Sequence, residues 1–323
     1  MTAAPGQPPR VSLRRAVVGV VLYCFFAPAA LLALPLAALL LASRPRTRGD
    51  AFLAIVAGGF SLWWLWQPGD LADQVLRAAA VMGTAAFVLT ALATQWSVTH
   101  RAVVAIGAAA SAVAAWLAVV GRTWWELGWS VAHRAGFAAR QSLSVVYGVM
   151  SRDGQPTPGA AQWLKQAGTM MDTTVQLMSA YYPATVALQM LAGFALATLL
   201  CRHLTTPAPG VPLGRLREFR FSEHLGWGAA IPLMILLIPK LAAAKVAAGN
   251  VLVVTVALYA LRGTAVVAFA LAMTGGGGLL LSVAIAFAIV FMSPVVLAGT
   301  VFLGVLDAGL DLRRRWTSPP AGE

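Results

Sequence analysis

NVLVVTVALYALRGTAVVAFALAM, running from Asn250 to Met273, decides how the chain is read. Crossing the ~30 Å hydrocarbon layer of a bilayer takes about 20 apolar residues in a helix. This stretch meets that length with one charged residue, Arg262, near its middle. A helix apolar on every face has no aqueous side to present, so lipid or a packed core must surround it. Runs of the same kind recur at Ala51–Trp66, Val75–Thr94, Ala102–Val120, Ala180–Leu200 and Leu225–Ala244. Two longer ones, Val17–Ala42 and Gly278–Leu306, flank the set.

Composition agrees with that reading. The 323 residues are 59% hydrophobic and 11% charged, against roughly 45–50% and about 25% in soluble domains. So few charges cannot cover so much apolar surface in water. The fold class is therefore all-α: a polytopic transmembrane helix bundle of about eight to ten membrane helices, with residues 1–323 forming a single integral membrane domain. The chain carries 23 Lys+Arg against 11 Asp+Glu, a formal net charge of +12. In a membrane chain such an excess orients loops and meets anionic lipid headgroups, and no nucleic-acid partner is expected. Cys24 and Cys201 lie in or beside apolar segments at no metal or disulfide spacing and read as small packing residues.

The two overlong stretches decide topology. Pro28 and Pro35 interrupt the first and Pro294 the second, so each is a candidate for a broken pair of short helices. With both doubled back, Arg10, Arg14, Arg15, Arg44, Arg46, Arg48, Arg101, Arg202, Arg215, Arg217, Arg220 and Arg313–Arg315 share one side. The opposite short loops keep little beyond Arg77, Lys240 and Lys245. The positive-inside rule prefers that arrangement. Length speaks for single tilted helices, because 26 residues cannot cross a full bilayer twice. The doubled arrangement places both termini in the cytoplasm, and the basic start running into apolar sequence reads as an uncleaved signal anchor in a bacterial cytoplasmic membrane.

The segment 122–179 is the largest extramembrane insertion. Trp125, Trp129, Ala132, Gly136, Ala139, Leu143, Val146 and Met150 recur at helical spacing, and after the turn around Arg152–Gly159 so do Trp163, Ala167, Met170, Thr174 and Leu177. This is an amphipathic helical hairpin, either lying on the membrane surface or capping the bundle. The Trp63-Trp64-Leu65-Trp66 and Trp124-Trp125 clusters are two spans apart and so share one membrane face.

Several later motifs carry a resemblance. They are Tyr181-Tyr182-Pro183, Leu216-Arg217-Glu218-Phe219-Arg220-Phe221 leading to Trp227, Gly249-Asn250, Arg262-Gly263, and Gly304-Val305-Leu306-Asp307 with Asp311 and Arg313. Together they resemble the YybS-like family of bacterial membrane proteins, a domain of unknown function. The likeness covers Tyr181 to Arg315, and the loop around Leu34–Arg48 resembles the family's first hairpin. This chain has Arg262 where the family usually places Gln, and Asp311-Leu312-Arg313 where the family has Asp-Phe-Arg. That family is similar in architecture to the substrate-binding subunits of energy-coupling-factor transporters. The resemblance implies a bundle that relies on a membrane or ATPase partner for energy.

Arg262 is the most informative single residue, because a central membrane charge costs at least roughly 2.5–3.5 kcal/mol unless paired or hydrated. Two readings stay open: it meets an anionic substrate group, or it forms a structural ion pair. Tyr259, three residues earlier, Asn250 and Gln189 join it as candidate substrate-binding residues. Asn250 follows Gly249, where a helix cap is the simplest account. Asp307 and Asp311 stand four apart, and Asp307 is expected to pair with Arg262 or, preferably, with the Arg-rich cytoplasmic loop at residues 202–224. In that loop Arg215, Arg217 and Arg220 alternate with Leu216, Phe219 and Phe221. Such alternation fits an interfacial segment with rings in the membrane and guanidiniums on lipid phosphates, or a partner contact.

The sequence holds no Gly-x-x-x-x-Gly-Lys-Ser/Thr loop, no His-Glu-x-x-His pair and no Gly-x-Ser-x-Gly elbow. No catalytic residue, metal ligand or cofactor is therefore expected. The functional expectation is a non-catalytic small-molecule-binding or transport-type bundle, with a membrane scaffold or envelope assembly factor as the alternative.

Overall fold

A computed structural model describes residues 13–45, 47–152, 155–156, 158–205, 209–221, 226–273 and 294–317. The described residues are almost entirely helical, with a two-residue antiparallel pairing of Ser151–Arg152 with Gln155–Pro156. Among the described residues five helices are long and apolar enough to cross a membrane: α3 (Arg48–Trp66), α4 (Leu71–Ala93), α5 (Val98–Val120), α8 (Tyr182–Leu204) and α10 (Lys245–Met273). Shorter apolar helices are α1 (Leu13–Phe26), α2 (Ala30–Ala42), α9 (Trp227–Leu237) and α11 (Pro294–Leu310). The remaining helices are α6 (Trp124–Met150), α7 (Pro158–Ala180) and the short α12 (Leu312–Thr317). The chain divides into two compact units, residues 1–212 and 213–323.

In the N-terminal unit, boundary residues explain where helices begin and end. Thr47 and Asp50 form a reciprocal capping box at α3, while Asp70 and Ser97 cap α4 and α5 through the backbone N–H groups of Asp73 and His100. Gly121 ends α5 with φ +70°, a left-handed turn that glycine adopts without a Cβ penalty. Helix α2 packs against α3, α4 and α8, and Phe87 of α4 stacks on Phe194 of α8 at 4.4 Å.

The first overlong stretch is broken at Ala27–Ala29, between two short helices. Gly19 lies against Leu196 and the Tyr23 hydroxyl donates to the Gln189 carbonyl, so α1 runs antiparallel to α8. The Leu31 carbonyl then meets Gly193, and Asp50, beyond the end of α2, acts electrostatically on Cys201. The chain therefore turns back beside residues 189–193 and returns toward the C-terminal end of α8. Helices of 14 and 13 residues extend about 20 Å each, less than a bilayer core. The two short helices thus form a hairpin folded back along α8. Gly193 is fixed by it: an added Cβ would sit 2.6 Å from the Leu31 carbonyl oxygen. The expected break in Gly278–Leu306 falls mainly on residues outside those described.

Helices α6 and α7 pair as a hairpin, and neither has the sustained hydropathy of the spanning helices. Leu127 and Val131 anchor α6 in the N-terminal core. Arg134 reaches Asp70 and Asp73 at the head of α4, each at 2.6 Å. Partial burial pushes the Asp70 carboxyl up, but the Asp73 N–H and the Arg134 guanidinium outweigh it and hold the group below its ordinary range. A carboxyl depressed by folding stabilises above its unfolded pKa of about 3.9 and loses that contribution as pH falls through the lower folded value. Hydrogen exchange in residues 124–134 is therefore expected to quicken as pH drops below about 4, after correction for the intrinsic rate. In Arg134→Gln that acid-dependent component should be absent.

The C-terminal unit departs from expectation at two places. The run Leu225–Ala244 is not one span: α9 covers 11 residues and gives way at Ile238 to a 3-10 turn over Pro239–Ala244. Pro239 is responsible, since it lacks an N–H and pushes the preceding residue to the extended backbone seen at Ile238 (φ −87°, ψ 112°). Helix α10 begins at Lys245, so Asn250 is an interior residue and not the cap expected from Gly249-Asn250. Its side-chain amide donates to the Val246 carbonyl at 2.8 Å. Helix α9 lies along α10, with the Thr255 hydroxyl donating to Gly228. Helix α11 crosses α10 where Gly263 faces Thr300 and Gly304 faces Tyr259, a close backbone approach built on two glycines.

Candidate functional site

Arg262 stands at that glycine crossing, and Asp307, one helical turn beyond Gly304, faces it. The Arg262 Nε donates to Asp307 Oδ2 at 2.8 Å and its Nη2 donates to the Asp307 carbonyl at 3.0 Å. Asp307 is 0% exposed. Its second partner is Arg313, which donates through Nη2 to Oδ2 at 2.7 Å and through Nε to Oδ1 at 3.2 Å. Two buried guanidiniums thus share one carboxylate, and low polarity makes each charge-assisted bond strong.

A break in the backbone brings Arg313 to this point. Asp311, between α11 and α12, has φ +45°, and its N–H donates to the Asp307 carbonyl. Aspartate tolerates this left-handed conformation better than most residues. The turn folds the first residues of α12 back onto the end of α11, so residues six apart meet. Arg313 then reaches the Arg-rich segment, donating to the carbonyls of Arg217 at 2.9 Å and Phe219 at 3.0 Å. Phe221 closes the site, its ring 5.1 Å from the Arg262 guanidinium carbon and edge-on to Tyr259.

Both partners considered for Asp307 are thereby involved. Arg262 pairs with it directly, and the Arg-rich segment is tied to it through Arg313, which the sequence shows only as one of three tail arginines. The sequence signal for Arg313 is the Asp311 break, which no periodicity reveals. Phe221 is buried against Arg262 and Tyr259, so its ring packs within the C-terminal unit. Its flat faces are better used over a buried cation than in lipid. Arg220 pairs with Asp311 at 3.0 Å and Arg217 approaches Glu218 at 3.6 Å, whereas Arg215 is exposed. Asp311 lies at the helix break and not on a continuous face with Asp307.

The four candidate substrate-binding residues have separate surroundings. Tyr259 is buried in the C-terminal unit beneath Phe221, and Asn250 bonds within its own helix. Gln189 belongs to the N-terminal unit, where its amide donates to the Phe26 carbonyl at 2.8 Å and secures the turn between α1 and α2. Arg262 retains one buried Nη1 without a hydrogen-bond acceptor.

Beside this network lies an open groove of about 530 Å³, lined by Arg217, Glu218, Arg220, Arg313 and Arg314 with Phe269 and Met273. Its size falls within the usual range for ligand sites. Arg217 approaches Glu218, Arg220 pairs with Asp311, and Arg313 is held by Asp307 from behind the groove. Guanidiniums and apolar side chains both line the groove, at the end of a membrane-length helix. Among the described residues no group of three or more His, Cys, Asp or Glu is placed to hold a metal ion.

Fold and site together define a multi-pass α-helical membrane protein with a buried arginine–aspartate network. The chain belongs to the family described as predicted membrane protein (DUF2232), whose pattern matches residues 16–308. No curated protein and no solved structure matches it.

Proposed function

We propose that this chain is a non-catalytic binding bundle of the bacterial cytoplasmic membrane that holds an anionic amphiphile in the groove of its C-terminal unit. The observation that carries the reading is the juxtaposition of Arg217, Arg220, Arg313 and Arg314 with Phe269 and Met273. Guanidiniums match a phosphate or carboxylate headgroup, and apolar side chains match the start of an acyl chain. Arg262 supports the site from behind by fixing Asp307, Arg313 and hence the Arg-rich segment. Its own hydrogen bonds favour a structural ion pair over direct contact with substrate. Movement of the ligand across the membrane would draw energy from a separate membrane or ATPase subunit, in keeping with the resemblance to energy-coupling-factor subunits. The termini are assigned to the cytoplasm by the distribution of arginines.

Native mass spectrometry of lipids retained by the purified full chain tests this reading. The wild type is expected to retain phosphatidylglycerol over phosphatidylethanolamine. Arg220→Gln/Arg314→Gln should lower phosphatidylglycerol occupancy at least about tenfold at equal lipid concentration. Unchanged retention would refute the groove. A scaffold reading is favoured by the exposed Leu213, Arg215 and Leu216 on the same segment. It predicts that crosslinkers at these positions capture one stable protein partner.

A further inference from the structure

A second cluster of arginines lies in the N-terminal unit, independent of the groove. Arg101 sits in the first turn of α5 and is 0% exposed. Arg202 sits in the last turn of α8 and is partly open to the surface. Both guanidiniums converge on one short loop. Arg202 donates to the Gly210 carbonyl, and the Arg101 Nη2 donates to the next carbonyl, Val211, at 3.2 Å. The loop wraps so closely that a Cβ on Gly210, whose φ is +74°, would fall 2.2 Å from Arg101 Nη1. Phe87 backs the cluster, 5.6 Å from the Arg101 guanidinium carbon.

What sets this pair apart is the missing counter-charge. Among the described residues neither arginine forms an ion pair with a carboxylate, and the neighbouring charge that acts on Arg101 is the cation Arg202. The start of α5 adds the positive end of a helix dipole, which disfavours a cation there. Each arginine also keeps a buried Nε–H without an acceptor. Burying charge without compensation is costly, and a removed N–H leaves its desolvation penalty standing. The contrast with Arg262 is direct: there a buried carboxylate balances the charge, whereas among the described residues the acceptors found here are two carbonyls.

We propose that Arg101 and Arg202 form an anion site for a phosphate group, belonging either to a phospholipid headgroup or to a free phosphate. The buried, unpartnered Nε–H groups of Arg101 and Arg202 are the donors from which its oxygens would accept. A tetrahedral anion supplies several acceptors and at least one negative charge, which answers both deficits at once. Basic pockets between helices at the membrane boundary suit that chemistry.

The test uses the full chain in neutral detergent, carrying Arg220→Gln/Arg314→Gln so that the groove does not contribute. Binding of inorganic phosphate and of phosphatidylglycerol in phosphatidylcholine micelles is measured by the shift in unfolding temperature at constant ionic strength. Binding of either probe, weakened at least about tenfold by Arg202→Gln and by Arg101→Gln, supports the site. Phosphate binding identifies a free anion as sufficient, and binding of phosphatidylglycerol alone identifies the headgroup. Arg202→Gln leaves the buried Arg101 anchor in place and so separates ligand loss from misfolding. Equal binding by the chains with and without Arg202→Gln, or no binding of either probe, would overturn the proposal.

Discussion

Asp307→Ala is expected to unfold the C-terminal unit. The substitution removes the one carboxylate that faces both Arg262 and Arg313. Deleting one partner of a buried ion pair costs about 3–5 kcal/mol, and here two guanidiniums lose their counter-charge together. Most folded domains hold only about 5–15 kcal/mol in total. The measurement is hydrogen exchange across residues 245–273 in purified protein, where protection should collapse to that of the unfolded chain. A double-mutant cycle sharpens it. Arg262→Leu alone leaves Asp307 with Arg313 and should be milder. Arg262→Leu/Asp307→Ala should recover much of the loss, because Arg313 keeps the Arg217 and Phe219 carbonyls. Additive effects in that cycle would show that the two side chains do not share a buried site.

Gly304→Val is expected to be nearly as damaging, for a steric reason. An added Cβ at Gly304 would lie 2.0 Å from the Tyr259 carbonyl oxygen, and one at Gly263 would lie 1.8 Å from that of Thr300. Both obstacles are backbone, so no rotamer change relieves them. Forced overpacking typically costs about 1–3 kcal/mol and sometimes more. At this crossing it also separates Arg262 from Asp307 one turn away, adding an electrostatic loss. Unfolding temperature in detergent should drop steeply for Gly263→Val and Gly304→Val. Gly299→Val, in the same helix but facing open space, should stay near the wild type.

The helices were legible because their signal is additive. Five of the apolar runs, Ala51–Trp66, Val75–Thr94, Ala102–Val120, Ala180–Leu200 and Asn250–Met273, lie within or close to one observed helix each, and the ends follow caps such as Ser97 and Gly121. The break after α1 was legible only when Pro28 was read together with the arginines on either side of it. Pro239, by contrast, is one residue within a run that remains apolar throughout. Average hydropathy passes over it, although the backbone does not. Asn250 shows the same limit: Gly249 before it mimics a helix start, and packing against α9 carries the helix back to Lys245.

The site was legible in its parts and not in its assembly. Arg262 stands out as a charge in an apolar run, and Asp307 is the obvious acid. Their meeting depends on the glycine crossing, and the arrival of Arg313 depends on a left-handed Asp311. Neither feature has a periodic signature. Arg101 and Arg202 were visible only as topology markers, since charge counting cannot distinguish a solvated loop arginine from one buried without a counter-ion.

The most direct test of the functional account is photo-crosslinking with phosphatidylglycerol bearing a diazirine near its headgroup, followed by peptide mapping on the full chain. The account predicts adducts in the C-terminal unit at residues 217–220 and 313–314, lost on competition with unlabelled phosphatidylglycerol but not with phosphatidylcholine. Adducts spread along the lipid-facing helices, with those two segments unlabelled, would contradict it.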